Sequence, residues 1–365
     1  MRVAVLVYKT GRSEEVRANL LWADTSAGQV QRSISVPISP NLGLFPTHGC
    51  LLVSYTESPQ ESSPKEWLDV YRLPDGNLSA HLPMDCRAQF NGCPEWPTFV
   101  ASPDPSLIYV YKTRTLGDHW AEDFVCGLDL TTMQFAPWNF KIPECVAGWS
   151  ASGSRVHAQM LFVADGIEVG KLPSGDLGQK VAFWLGPEEG MGPMVSLGPR
   201  PRAHSDLGHA RAILFAPKRC LSVVVCTDGV THLIDPTEFR YVERQQVEFT
   251  KGYAMPIFAA QIDPAGRFLY VGTARDKARH FGLIERVIVY NLERGAQESV
   301  WVLEDPLGGM ALSEDGSRLC GVSPGSNKLW VLDAHSGQVQ AMELDGSPQY
   351  VVPVDGVHSL PAMYS

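Results

Sequence analysis

Short apolar runs separated by turn residues dominate the chain, and the clearest stretch is Ile257 to Leu303. Ile257 to Ile262 is a short β-rich run closed by the turn Asp263-Pro264-Ala265-Gly266. Phe268 to Thr273 reads as a second strand, followed by a charged loop from Arg275 to His280. Ile284 to Tyr290 and Gln297 to Leu303 follow as third and fourth strands, joined by the turn Asn291 to Gly295. β-Branched and aromatic residues between turn signals predict a four-stranded antiparallel meander. Such a meander cannot bury both of its faces alone, so it predicts neighbours like itself.

The turns recur accordingly. Ser102 to Ser106, Asp263 to Gly266 and Ser313 to Ser317 read as first-to-second-strand turns, with Ala151 to Ser154 as a weaker copy. Asp24 to Gly28, Arg72 to Gly76, Asp129 to Met133, Asp235 to Phe239, Asn291 to Gly295 and Asp333 to Gly337 read as third-to-fourth-strand turns. Lys171 to Gly175 is taken as a degenerate seventh member of that set. The mean period is about 51 residues, in the range of propeller repeats. Val7-Tyr8-Lys9-Thr10 and Val110-Tyr111-Lys112-Thr113 even share their letters. The expectation is an all-β, seven-bladed β-propeller occupying residues 1–365 as one domain. Its N-terminal blade starts at an apparent second strand, Val3 to Tyr8, and Gln349 to Pro353 is the candidate for the missing first one. Pairing the two ends closes a ring and removes exposed sheet edges. Gly186 to Arg202, rich in Gly, Pro and Met, reads as a long loop.

Composition narrows the partners. With 44% hydrophobic and 19% charged residues the chain has the balance of a globular protein with a large core. A formal net charge of -10 argues against nucleic acid or an anionic membrane as the main partner. Met1 runs directly into Val3 to Tyr8, a run too short and wrongly flanked for a secretory signal, and no stretch is long enough to cross a bilayer. The expected location is cytoplasmic. The eight cysteines form no Cys-x-x-Cys pair and no zinc-finger spacing, so buried thiols are the plainest reading, with Cys86 and Cys93 the first disulfide candidates.

In a propeller, the second-to-third-strand loops and the blade-to-blade connections gather at one face. Long loops at Lys9 to Glu15, Glu57 to Glu66, Lys112 to Glu122 and Arg275 to Leu283 are of the first kind. Pro46-Thr47-His48, Cys93 to Pro97, Arg200 to His209 and Tyr253 to Pro256 are read as blade entries. Together they bring polar residues to one mouth, the default place for a ligand. His119, His204, His209, His280 and Glu95 are the candidate acids and bases, since imidazole titrates near neutral pH. His48, Trp96, Arg202, Tyr253 and Arg279 are the candidate substrate contacts, with Arg202 and Arg279 suited to an anionic group. Plain surface roles remain open for all of them, and no metal site is assigned. His157, His232 and His335 read as structural. Gly321-Val322-Ser323-Pro324-Gly325 matches a nucleophile elbow in letters but joins two strands, where an elbow needs a strand–turn–helix.

Arg275-Asp276, Arg279-His280 and Val287-Ile288-Val289-Tyr290 together resemble the late-blade motif of the methylamine dehydrogenase heavy chain, and Ile142-Pro143-Glu144-Cys145 resembles that family's Pro-Asp-Cys segment. The resemblance covers roughly the C-terminal third. It implies the large propeller subunit of an amine-oxidising complex, which supplies scaffold and part of the substrate entrance. It also implies that chemistry resides in a small catalytic subunit carrying a tryptophan-derived quinone, with no cofactor in this chain. The alternative is a self-contained cytoplasmic lyase, isomerase or hydrolase using the mouth histidines and Glu95 on a small organic substrate.

Overall fold

Val3, Ala4, Val5, Leu6 and Val7 are all fully buried, which a strand achieves only when both faces of its sheet are covered. Val3, Val5 and Val7 pack with Cys320, Val322 and Leu329, while Ala4 and Leu6 pack with Leu51, Val53 and Tyr55. One sheet is therefore sandwiched between two others. This is the requirement read from the apolar runs, and it sets the architecture.

The computed structural model describes residues 1–10, 16–36, 43–47, 49–57, 65–73, 76–84, 99–101, 104, 106–116, 120–141, 150–153, 160–165, 177–185, 190–200, 210–216, 218–226, 229–247, 257–273 and 283–354. The strands at the N-terminus are β1 (Arg2–Thr10), β2 (Val16–Asp24) and β3 (Gln29–Val36). The first contiguous blade is β4 (Gly43–Thr47), β5 (Cys50–Glu57), β6 (Lys65–Arg72) and β7 (Asn77–Met84). The second is β8 (Phe99–Ala101), β9 (Leu107–Leu116), β10 (Trp120–Asp129) and β11 (Gln134–Lys141). The third is β12 (Ser150–Gly153), β13 (Met160–Asp165), β14 (Leu177–Trp184) and β15 (Met191–Arg200). The fourth is β16 (Ala210–Ala216), β17 (Leu221–Cys226), β18 (Val230–Asp235) and β19 (Arg240–Gln246). The fifth is β20 (Ile257–Ile262), β21 (Phe268–Thr273), β22 (Ile284–Asn291) and β23 (Ala296–Leu307). The sixth is β24 (Gly309–Leu312), β25 (Arg318–Ser323), β26 (Lys328–Asp333) and β27 (Val339–Glu343). The last strand, β28 (Ser347–Pro353), pairs with β1, giving a sheet ordered β28-β1-β2-β3. No helix occurs among the described residues.

The expectation of seven like blades needs correcting to six contiguous blades, because the remaining four-stranded sheet is a composite of the two chain ends. The innermost strands touch in a closed cycle, β28 to β4, β8, β12, β16, β20, β24 and back to β28. Turn counting could not separate the two kinds of sheet, since Asp24 to Gly28 is a genuine third-to-fourth turn of the composite one. The counted set also held a wrong member. Lys171 to Gly175 falls between β13 and β14, a second-to-third connection, and the third-to-fourth turn of that blade runs from Leu185 to Gly190. Leu185 N–H donates to Gly190 O at 2.9 Å there, and Gly190 takes a φ of 71°. Ala151 to Gly153 likewise belong to β12 rather than to a turn. Much of the supposed long loop Gly186 to Arg202 is β15, whose Val195 and Leu197 are buried on alternate positions. Gly and Pro in that segment hid a strand period that two apolar residues carry.

Connections alternate between two faces. First-to-second and third-to-fourth turns share the basal face; second-to-third connections and blade-to-blade crossings share the apical one. The basal turns repeat one device. The side-chain oxygen of Asp24, Asp129, Asp235, Asn291 or Asp333 accepts N–H bonds from residues two and three positions on. These Asx turns give the chain a hydrogen-bonded reversal without cross-strand help. Neighbouring blades are then fastened at the same face. Gly76 lies under the Trp22 ring, Gly337 under Trp301, and Gly316 against Pro264. Arg219 donates to Gly266 O at 2.9 Å, Gln245 to Leu292 O at 2.8 Å and Tyr270 to Ala334 O at 3.4 Å, each reaching the next blade.

Closure depends on a tight approach at Gly346, just before β28. A Cβ there would lie 2.7 Å from both Tyr8 O and Val7 Cγ1, and its φ is +121°. Gly28, by contrast, has a φ of +63° but nothing within 4 Å of a built Cβ. Replacing Gly28 with Ala is expected to cost about 1 kcal/mol of backbone strain. Replacing Gly346 with Ala adds a clash and is expected to cost more than about 2 kcal/mol. Urea midpoints of the two variants, compared with wild type, measure the difference.

Candidate functional site

The strand ends that bracket most of the candidate residues lie on the apical face. Met84 and Phe99 bracket Glu95 and Trp96; Leu116 and Trp120 bracket His119. Arg200 and Ala210 bracket Arg202, His204 and His209; Gln246 and Ile257 bracket Tyr253; Thr273 and Ile284 bracket Arg279 and His280. All ten candidate residues, His48 included, lie outside the described residues. The blade-entry reading of Pro46 and Thr47 is corrected, because both belong to β4 and sit at its basal end. A proline there hid the strand, since Pro-Thr-His punctuates a sequence like a loop.

Among the described residues, titratable groups meet in a few places. The most developed group lies on the first contiguous blade. Asp69 is buried, and its carboxylate accepts a bond from His81 Nδ1 at 2.6 Å and from the Tyr71 hydroxyl at 3.3 Å. Tyr55 Oη lies 3.4 Å from the same imidazole nitrogen, and the Trp67 ring stacks on His81 at 4.3 Å and 13°. A carboxylate only accepts when ionised, so Nδ1 carries the proton and Nε2 is left as the free nitrogen of this half-exposed ring. Asp69 and His81 face each other directly in the β6–β7 register. The arrangement orients an imidazole, ties the outermost strand to its neighbour and fills the seam with the composite sheet. It belongs to the middle of a blade, away from the mouth. Sequence reasoning missed it, although a lone carboxylate inside Trp67-Leu68-Asp69-Val70-Tyr71 was the available signal.

His232, read as structural from the sequence, is buried in β18, with Nδ1 3.3 Å from the Tyr241 hydroxyl. Burial pushes its pKa down to about 4, and the charge of Arg244, its partner in the β18–β19 register, pushes the same way. Tyr241 itself is pushed up, chiefly by burial. Neither group is suited to proton exchange near neutrality. Ser323 of the Gly-x-Ser-x-Gly match ends β25 and is buried, followed by a turn into β26, which rules out an exposed nucleophile elbow. Cys50, Cys126, Cys220, Cys226 and Cys320 are not joined in disulfides, and burial pushes Cys320 up to about 12, so it stays protonated and inert. Cys86, Cys93 and Cys145 lie outside the described residues. No group of three or more metal-ligating side chains occurs among the described residues.

Comparison with solved structures places this geometry among known shapes. Kuenenia stuttgartiensis hydrazine synthase matches with a TM-score of 0.58 at 13% identity, covering 88% of this chain and 93% of that one. Apo AztD from Citrobacter koseri matches with a TM-score of 0.56 at 12% identity over 96% of this chain and 97% of that one. A second structure of Citrobacter koseri AztD gives 0.51 at 12% identity over 96% of each chain. The chain is a β-propeller. At these identities the likeness shows the fold alone. No family model and no curated protein matches the chain.

The buried imidazole and the basal carboxylates give stability two separate acid limbs. His232 must stay neutral in the fold, so the unfolded chain takes up its proton first. Stability therefore falls as pH drops from 6.5 towards about 4. The full loss over that window is about 3 kcal/mol. Turn N–H groups hold the Asp129 and Asp333 carboxylates below 3.8, and Ser313 and Ser317 do so for Asp315. Their contribution is complete above 3.8 and is lost as pH falls through their lowered values. Urea titrations at pH 7, 5, 3.8 and 2.5 are expected to show the first limb flattened in His232→Gln and the second unchanged.

Proposed function

We propose that this chain is a propeller scaffold subunit that presents its apical mouth to a small organic substrate and to a catalytic partner. The model for this reading is the amine dehydrogenase heavy chain that its C-terminal third resembles. The observation that carries it is the asymmetry between the two faces. Basal turns carry repeated Asx bonds and blade-to-blade contacts, as at Gly76, Gly316 and Gly337. The candidate acids, bases and stacking residues lie between strand ends of the opposite face, and loops held by a rigid scaffold are a common place for binding chemistry.

The described titratable pairs support a scaffold role as well. Asp69–His81 and His232–Tyr241 knit strands together within blades. On this reading the tryptophan-derived quinone belongs to the partner, and this chain contributes substrate entrance and orientation.

The test is native mass spectrometry of the full chain purified from its own cells. A species heavier than the 40.0 kDa chain is expected, containing a smaller subunit with quinone absorbance and amine-dependent dye reduction. A solitary chain that turns over substrate unaided would contradict the scaffold reading.

A further inference from the structure

The outermost strand of a propeller blade is paired on one side only, which leaves a row of N–H and C=O groups open to any strand that can reach them. Six of the seven sheets blunt that edge. β3, β7, β11, β15, β19 and β23 each meet their inner neighbour with a register shift, the kind of irregularity that bends an edge out of line. Four of the six, β7, β11, β15 and β23, also contain proline, and β19 carries Arg240, Glu243 and Arg244. β27 differs. Val339-Gln340-Ala341-Met342-Glu343 pairs residue for residue with β26, has no proline and holds a single charge.

The pairing fixes which groups are open. Leu344 N–H donates to Asn327 O at 2.8 Å, and Asp333 N–H to Gln338 O at 2.8 Å. Alternate residues bond inward in an antiparallel ladder, so Gln338, Gln340, Met342 and Leu344 turn their backbone groups to β26. The N–H and C=O of Val339, Ala341 and Glu343 point away from it, and no group among the described residues takes them up. The side chains of these three lie on the face towards the fifth blade, because their register partners Leu332 and Trp330 pack there with Trp301 and Leu303. Val339 is 47% exposed, and Ala341 and Glu343 are exposed as well. Glu343 makes no ion pair among the described residues, since Lys328 opposite it is held by Asp305 at 3.7 Å.

We propose that β27 is a strand-addition edge that takes an extended, cationic segment of a partner protein. The segment runs antiparallel, and its residues opposite Glu343, Ala341 and Val339 each exchange a pair of backbone hydrogen bonds. Their side chains share the face towards the fifth blade, so the segment reads basic, any, apolar, any, apolar in chain order. The cation meets Glu343, and the apolar pair covers Ala341 and Val339. A second copy of this chain is a poorer occupant. Both copies would carry a formal net charge of -10, and five residues a side bury far less than the roughly 1,600 Å² of a standard interface. The edge lies on the outer rim, away from the apical mouth, and its test is separate from that of the scaffold reading.

The experiment is fluorescence anisotropy of the full chain with a labelled peptide holding Lys-Thr-Val-Thr-Val between glycine–serine flanks, with amide hydrogen exchange as a site readout. Saturable binding is expected, with slowed exchange at Val339, Ala341 and Glu343. The same peptide with proline for its first valine, or with glutamate for its lysine, is expected to bind about tenfold more weakly or worse. Ala341→Pro removes an outward N–H and leaves the ladder to β26 intact, so it is expected to weaken the lysine peptide about tenfold or more in a folded chain. Glu343→Lys, a surface change, is expected to weaken that peptide several-fold and to bind the glutamate peptide better than wild type does. It decides the matter if the proline variant does not fold. The proposal is overturned by absence of saturable binding, by equal binding of the proline peptide, or by wild-type affinity in Glu343→Lys or in folded Ala341→Pro. Reversible dimerisation at micromolar concentration that Ala341→Pro abolishes would also overturn it, by assigning the edge to a second copy.

Discussion

The ladder between β1 and β28 is the contact on which the rest of this fold depends. Val5 pairs with Val351, Ala4 with Val352 and Leu6 with Tyr350, joining the two ends of the chain in one sheet. Without it the composite sheet lacks its innermost strand, and β4 and β24 each lose a neighbour in the inner ring. A meander can cover only one face of the next, so an open ring would leave an apolar face and a strand edge bare at each end. Closure converts both liabilities into core. It is sharpened by Gly346, where the chain passes too close to Tyr8 and Val7 to carry a side chain, and by the Lys9–Asp345 ion pair beside it.

Closure bears on both faces. Described basal turns pack on the next blade at Gly76, Gly316 and Gly337, and the crossing into β28 is held as tightly at Gly346. Loops held by a rigid scaffold are a common place for chemistry to vary. Within the first contiguous blade, a buried charge is tied across strands, as Asp69 is to His81, and that tie stabilises a seam.

Much of the fold was legible in the letters. The strands expected at Ile257, Phe268, Ile284 and Gln297 coincide closely with β20 to β23, because apolar runs and turn residues alternate cleanly there. Pairing of the two ends was legible too, from a blade that lacked its first strand. Two errors fell where glycine and proline occur inside strands: Met191 to Arg200 looked like loop and Pro46-Thr47 like a blade entry; a third took Lys171 to Gly175, between β13 and β14, for the wrong kind of turn. Composition outweighed a period carried by only two or three buried side chains. For the site, topology sorted most of the connections onto one face but said nothing of distances between side chains. Asp69 was passed over because reading began from loops, whereas it signalled itself as a charge within a strand.

The most direct test of ring closure is native-state amide hydrogen exchange of Val3 to Tyr8. If the end-to-end ladder holds the ring together, these amides should exchange only through global unfolding, with protection equal to that of the buried strand Leu221–Cys226. Exchange through local fraying, well below that level and with the other blades unaffected, would contradict the account.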